Sequence, residues 1–330
     1  MVSQLEYKKR TASTKNLQKI FGAQELIAAS RIAKARDLAV ASAPYSAAIT
    51  EAISQVATYT SIKHPLTATR DELGKKLTNR IAILCVTSDR GMAGSYSASI
   101  IRTTETLCDR IVEHGKTPVL FTSGRRAHSY YQYRGRSLEG SWEGDSDAPN
   151  FERAKEIAKK LVDTFLSDNL EEAVDELLIV STEFVNMVTQ RPKIVRMLPM
   201  SITDGDLDGV DDITGDSAAK THLFKHTDDE FDEQIKGVEQ AIPPLYHFEP
   251  EEEEVLDALL PTYISSRIHA CLLEAAASET ASRQRAMHTA TDNAKDLVED
   301  LIRKSNQARQ AGITQELTEI VSSADALNAG

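Results

Sequence analysis

Three stretches of this 330-residue chain carry residue types whose spacing suits chemistry. The first is Ser88-Asp89-Arg90-Gly91-Met92-Ala93-Gly94, directly after the apolar run Ile81 to Thr87. Backbone amides in a glycine turn between a strand and a helix can cradle phosphate. This turn lacks the third glycine of a dinucleotide fingerprint, and the chain has no Gly-x-x-x-x-Gly-Lys-Ser/Thr loop. No histidine stands at a spacing that would partner Ser88, Asp89 or Arg90 in acid–base work, so capping, turn formation and a surface ion pair are the favoured roles. The second stretch, Asp204-Gly205-Asp206-Leu207-Asp208-Gly209, begins like a calcium loop but has Gly215 where a bidentate Glu is required. It reads as part of a solvated acidic loop over residues 201–233. The third group is Cys85, Cys108 and Cys271, odd in number and too far apart for a metal cluster. They read as small core residues with reduced thiols. Neither a catalytic residue, a cofactor nor a metal ligand is expected.

The elements that would position these residues are of two kinds. Between residues 75 and 250 the pattern is that of a small α/β domain with an open, partly parallel sheet. Ile81 to Thr87 is a strand buried on both faces. A helix Ile100 to His114, a strand Val119 to Thr122, and a helix holding Tyr130, Tyr131 and Tyr133 follow. A helix Phe151 to Ser167 and strands Glu176 to Phe184 and Lys193 to Leu198 complete it, with Pro243 to Phe248 as an extended or edge segment. A polar connection with a short helical stretch joins His64 to Arg80.

The two ends of the chain have a different period. Leu17, Phe21, Gln24, Ala28, Arg31, Ala35, Leu38, Ser42, Tyr45, Ile49, Ile53 and Val56 recur about every 3.5 residues within residues 1–60, the spacing of a coiled coil. Within residues 251–330, Met287, Ala290, Ala294, Leu297, Leu301, Ala308, Ile313, Leu317, Ile320, Ala324 and Leu327 do much the same. From Pro261 to Leu327 this spacing makes about 100 Å of helix, which needs a partner along its length. The two ends are expected to pair, with Pro44 interrupting the first helix and Pro261 opening or kinking the second. Glu251 to Glu254, after Pro250, also suits a helix start. The fold class is therefore a long antiparallel coiled coil of the N- and C-terminal helices with an inserted Rossmann-like open-sheet α/β domain.

Bulk composition narrows the function classes. A net charge of −12 argues against nucleic acid as the main partner. No apolar run approaches 18 residues, so no transmembrane segment is expected, and no secretory signal follows Lys8, Lys9 and Arg10. Aromatic residues are only 5% of the chain, which suits a slim rod with little room for rings.

The terminal run Ala308-Arg309-Gln310-Ala311-Gly312-Ile313-Thr314-Gln315-Glu316-Leu317-Thr318-Glu319-Ile320-Val321-Ser322-Ser323-Ala324 resembles the signature of the γ subunits of bacterial F-type ATP synthases. Ser278-Glu279, Arg283, Ala286-Met287 and Ala290-Thr291-Asp292-Asn293-Ala294 fit the same family, as does the Ser88 to Gly94 turn. At the N-terminus the likeness is looser, with Gln24 where the family commonly has Met, and Ser323 replaces a usual Gly. The resemblance implies a non-catalytic rotor shaft. It would couple proton-driven rotation of the c ring to the catalytic α and β subunits for ATP synthesis, peripheral on the cytoplasmic face of the cell membrane. The partners it implies are the α and β subunits of the F1 ring, the ε subunit and the c ring of Fo. It also implies that Arg309 and Gln310 touch a loop of the catalytic subunits, supported by Thr314 and Glu316. Ile313, Leu317 and Ile320 would form either a coiled-coil seam or an apolar bearing in the sleeve, and Gln24 would pack at its own level of the ring. Two other readings stay open: a cytoplasmic coiled-coil scaffold without rotation, and a stand-alone α/β enzyme with a coiled-coil arm.

Overall fold

The structure, a computed structural model, describes residues 4–59, 64–200 and 252–328, with some side chains inside the long helices left aside. The acidic loop, the calcium-like run and the Pro243 to Phe248 segment lie outside the described residues. So do the side chains of Ser42, Val56, Ser323, Ala324 and Leu327.

A five-stranded sheet has the order β3-β2-β1-β4-β5. Its strands are β1 (Arg80–Val86), β2 (Thr117–Ser123), β3 (Gly140–Trp142), β4 (Glu176–Phe184) and β5 (Gln190–Leu198). The pairs β1–β2, β1–β4 and β2–β3 are parallel, and β4–β5 is antiparallel. The crossovers contain α2 (Tyr96–Glu113), α3 (Arg125–Tyr133) and α4 (Phe151–Leu166), the last capped by Asn150, whose side chain accepts from the Arg153 amide at 2.8 Å. Strand β1 is buried on both faces because helices cover both. Ala82, Leu84 and Val86 share a core with Ile157 and Leu161 of α4. Cys85, pointing the other way, accepts from Thr104 Oγ1 of α2 at 3.3 Å. The three-residue strand β3 was not foreseen, being too short to show a period.

The ends form α1 (Gln4–Tyr59) and α5 (Glu252–Asn328), each containing its proline. Pro44 therefore does not interrupt α1, and α5 starts nine residues before Pro261, at Glu252. A proline within a helix costs about 3 kcal/mol, a deficit offset where neighbours bury well. Leu260 and Ile264, beside Pro261, are fully buried. The expected short helix after His64 is a set of turns instead. It is tied by Arg70, which donates to the carbonyls of Phe165 and Ser167 at 3.3 and 3.2 Å. Asp175 secures its other end by accepting from the amides of Thr78 and Asn79.

The chain divides into two compact units. One holds Ala35–Arg90 and Tyr96–Ser278, the sheet with the inner parts of both long helices. In it Ile49 and Ile53 of α1 join Leu256, Leu260, Ile264, Ile268 and Leu272 of α5 in the sheet core. Each such side chain contributes about 1.5–3 kcal/mol by leaving water. The other unit holds Met1–Lys34, Gly91–Ser95 and Glu279–Gly330. Here Glu25 Oε1 accepts from His288 Nδ1 across the helix pair at 2.9 Å. Residue numbers fall on α5 as they rise on α1, so the helices run antiparallel.

The seam keeps its period and many of its expected members, among them Ala28, Ala35, Met287, Ala294 and Leu301, while single positions are replaced by a neighbour. On α5 Met287, Thr291, Ala294, Val298, Leu301, Ser305 and Ala308 are buried or half-buried at alternating steps of four and three, and the expected Ala290 is half-buried beside them. On α1 the buried residues Ala28, Ile32 and Ala35 follow the same alternation. Arg31, Leu38, Tyr45 and Leu297, expected in the seam, are exposed. The small side chains at Ala28, Ala35 and Ala294 let the backbones approach, so a neighbouring residue one position away can turn inward instead.

Candidate functional site

The glycine turn is built to hold itself together. Thr87 Oγ1 accepts from the Ala127 amide at 3.0 Å, and Asp89 Oδ1 accepts from the Arg125 amide at 3.0 Å, so both satisfy the first turn of α3. Asp89 Oδ2 also accepts from the amides of Gly144 and Ser146, each at 2.9 Å. A carboxylate of the chain thus occupies the spot at the parallel strand ends where a bound anion would lie. Ser88 Oγ pairs with Ser97 Oγ at 2.7 Å, and Arg90 forms an exposed ion pair with Asp147 at 3.4 Å. The cavity beside them, lined by Val86, Thr87, Tyr96, Ser123 and Arg153, has room for about one water. These are the capping and ion-pair roles expected from the sequence.

The rest of the turn belongs with α5. Arg283 Nε donates to the Gly91 carbonyl at 3.4 Å, and its Nη2 meets Glu279 Oε1 at 2.5 Å. Glu279 is 1% and Arg283 8% exposed, so this is a buried ion pair. Met92 and Gly94 have positive φ, 62° and 57°, which curls the turn onto the helix beside Ser282 and Ala286. Sequence motifs included Glu279 and Arg283 without indicating that they are buried together; their i, i+4 spacing was the available signal.

The thiols are chemically quiet. Burial pushes the Cys85 thiol up to about 12 and that of Cys108 up to about 11. Among the described residues no three His, Cys, Asp or Glu side chains are placed to hold a metal ion. Nor is any helix among them long and apolar enough to cross a membrane.

The most exposed part of α5 is its far end. Taking the Glu25–His288 register back to Gln4 brings α5 to Arg309, the last position opposite the described part of α1. From Arg309 to Val321 every residue is exposed. Ile313, Leu317 and Ile320 are 48%, 57% and 63% exposed, and with Ile302 and Arg309 they line one stripe. Thr314 Oγ1 bonds the Gln310 carbonyl at 3.0 Å, and Gln315 bonds Glu319 at 3.0 Å, so these polar groups reinforce the helix. Arg309 forms no ion pair with a described residue, and Glu316 points to solvent. Gln24 is half-buried on α1 near the level of His288, about 30 Å along the pair from Arg309. The geometry therefore groups Arg309, Gln310, Ile313, Thr314, Glu316, Leu317 and Ile320 and separates Gln24 from them. Sequence reasoning overlooked a second exposed stripe around Gln24, formed by Leu17, Ile20 and Ile27 at steps of three and seven.

Residues 3–327 match the family described as ATP synthase. The chain is 50% identical over 328 residues to the ATP synthase gamma chain of Bifidobacterium adolescentis, covering 99% of each. To that of Micrococcus luteus it is 44% identical over 322 residues, covering 98% of this chain and 97% of the relative. Its fold is similar to a chain in the cryo-EM structure of Euglena gracilis mitochondrial ATP synthase, OSCP/F1/c-ring, rotational state 3. There the TM-score is 0.60 at 15% identity, covering 99% of this chain and 95% of the other. A chain of the rotor of the same enzyme in rotational state 1 gives 0.56 at 13% identity, covering 94% and 98%.

Proposed function

Because the chain belongs to the ATP synthase gamma-chain family, we infer that it is the central shaft of a bacterial rotary ATP synthase, linking c-ring rotation to the catalytic subunits. The observation that carries this reading is 50% identity along 99% of both chains, which covers the helix pair and the inserted sheet alike. ATP chemistry then belongs to the α and β subunits, and this chain supplies motion. It sits peripherally on the cytoplasmic face of the membrane, bound to ε and the c ring, and proton flow drives it.

The exposed end of α5 suits this role physically. Ile313, Leu317 and Ile320 provide an apolar stripe, and apolar contact is non-directional, so a sleeve of matching residues holds the helix without locking its angle. Arg309 is different in kind. Its planar donor fork pairs a carboxylate in a restricted orientation and so gives an angle-dependent catch. Gln310 adds an amide contact beside it, while Thr314 and Glu316 support that stretch of helix. Gln24 packs against the ring at a separate level.

Rotation is the decisive test. With the catalytic ring immobilised and a bead attached at Lys159→Cys, on an exposed position of α4, ATP should drive unidirectional turning. An intact, ATP-hydrolysing complex whose bead stays still would establish a scaffold instead.

A further inference from the structure

We propose that the outward face of α3 docks an acidic segment of a neighbouring subunit, an inference that rests on the chain working inside an assembly. Helix α3 is anchored from below. Ala127 and Tyr131 are fully buried, and its first turn is capped by Thr87 and Asp89. Its other face carries Arg126, Tyr130 and Tyr133, and Arg134 just past its end continues the same side. Tyr133 is 92% exposed, an aromatic ring left almost wholly in water.

The charge on this face is one-sided. In a chain with a net charge of −12, α3 contains no Asp or Glu. Elsewhere in the same unit Arg70, Arg90, Arg125, Arg136 and Arg153 each have a carboxylate partner. Of the arginines that do not, Arg102 and Arg191 included, only Arg126 and Arg134 share a face with two tyrosines. Arg126 and Arg134 have none among the described residues. The Arg134 guanidinium instead lies 5.4 Å from the centre of the Tyr130 ring, which holds its side chain in place before any partner arrives.

Arg and Tyr are the side chains that most often carry binding energy at protein interfaces, and a guanidinium fork matches a carboxylate. Two arginines without a carboxylate partner among the described residues suit one or two carboxylates, with Tyr133 covering an apolar neighbour. They are too few for the many phosphate contacts by which nucleic acid binds, and the chain's net charge opposes an extended anionic surface.

The test is hydroxyl-radical footprinting of Tyr133, read by mass spectrometry, in the full isolated chain and in the complex released gently from membranes. In the complex, labelling of Tyr133 should fall about tenfold, as for a ring reached only through local opening. Arg126→Glu with Arg134→Glu should restore labelling and lower the salt concentration at which one subunit leaves, with circular dichroism showing an intact fold. Equal labelling in free and assembled chain overturns the contact alone. Protection that survives charge reversal overturns its acidic character. Protection of the isolated chain by phosphatidylglycerol vesicles assigns the face to a lipid headgroup instead and also overturns it. A chain recovered without larger subunits sinks the shaft reading, and the contact with it.

Discussion

Replacing Arg283 with Met keeps most of the side chain's volume and removes its charge. Glu279, 1% exposed, is then left as a buried carboxylate without its cation. Stranding one member of a buried ion pair costs about 3–5 kcal/mol. The lost bond to the Gly91 carbonyl is long at 3.4 Å and adds less than about 1 kcal/mol. The cost should appear where the pair acts, in the Gly91–Ser95 turn and the adjoining part of α5. Hydrogen exchange measured by mass spectrometry on the full chain should show those amides opening about a hundredfold faster or more, since each 1.4 kcal/mol is tenfold. The double variant Glu279→Gln with Arg283→Met removes both charges and should regain most of the protection. A single variant that exchanges less than tenfold faster would refute the argument. So would a double variant no better protected than the single.

Three further outcomes are expected. Arg309→Ala with Gln310→Ala should leave helix content unchanged, because both side chains are exposed, while slowing coupled ATP synthesis in membrane vesicles; unchanged synthesis would remove these residues from the contact. Cys85 has its folded thiol raised from 9.0 to about 12, so its contribution to stability is complete below pH 9 and is lost as pH rises towards 12. Native chain at pH 8 should accordingly leave Cys85 unreacted with a maleimide, and urea midpoints should fall above pH 9; fast labelling of the folded chain would contradict its burial. Gly124 has φ 107°, and an added Cβ would lie 2.1 Å from the Thr87 carbonyl oxygen, so Gly124→Ala should cost at least ~3 kcal/mol in urea unfolding. An unshifted midpoint would mean that the strand end yields easily.

The kind of the long elements was legible in the order of residues because it depends on short-range period, whereas the three-residue β3 and the turns after His64 were too short to show one. Ile81 to Val86 can only be a strand covered on both sides, and the 3.5-residue recurrence at both ends requires two long paired helices. The family signature from Ala308 to Ala324 likewise needs no coordinates. Which residue of a near-periodic pair turns inward was decided by tertiary contact. Ile32 rather than Arg31, and Val298 rather than Leu297, face the partner, because in an Ala-rich seam one position either way satisfies the local pattern and only the opposing helix chooses. The prolines show the same division. Pro44 and Pro261 read locally as breaks, but both lie inside their helices, and burial of Leu260 and Ile264 offsets the lost donor at Pro261. Asp89 read as a turn residue; that its carboxylate takes three amides from α3 and the loop after β3 follows from a sheet order that brings residues 89, 125, 144 and 146 together. The exposure of Arg309 to Val321 is likewise a tertiary fact, since Ile313, Leu317 and Ile320 have by spacing alone the pattern of a buried seam.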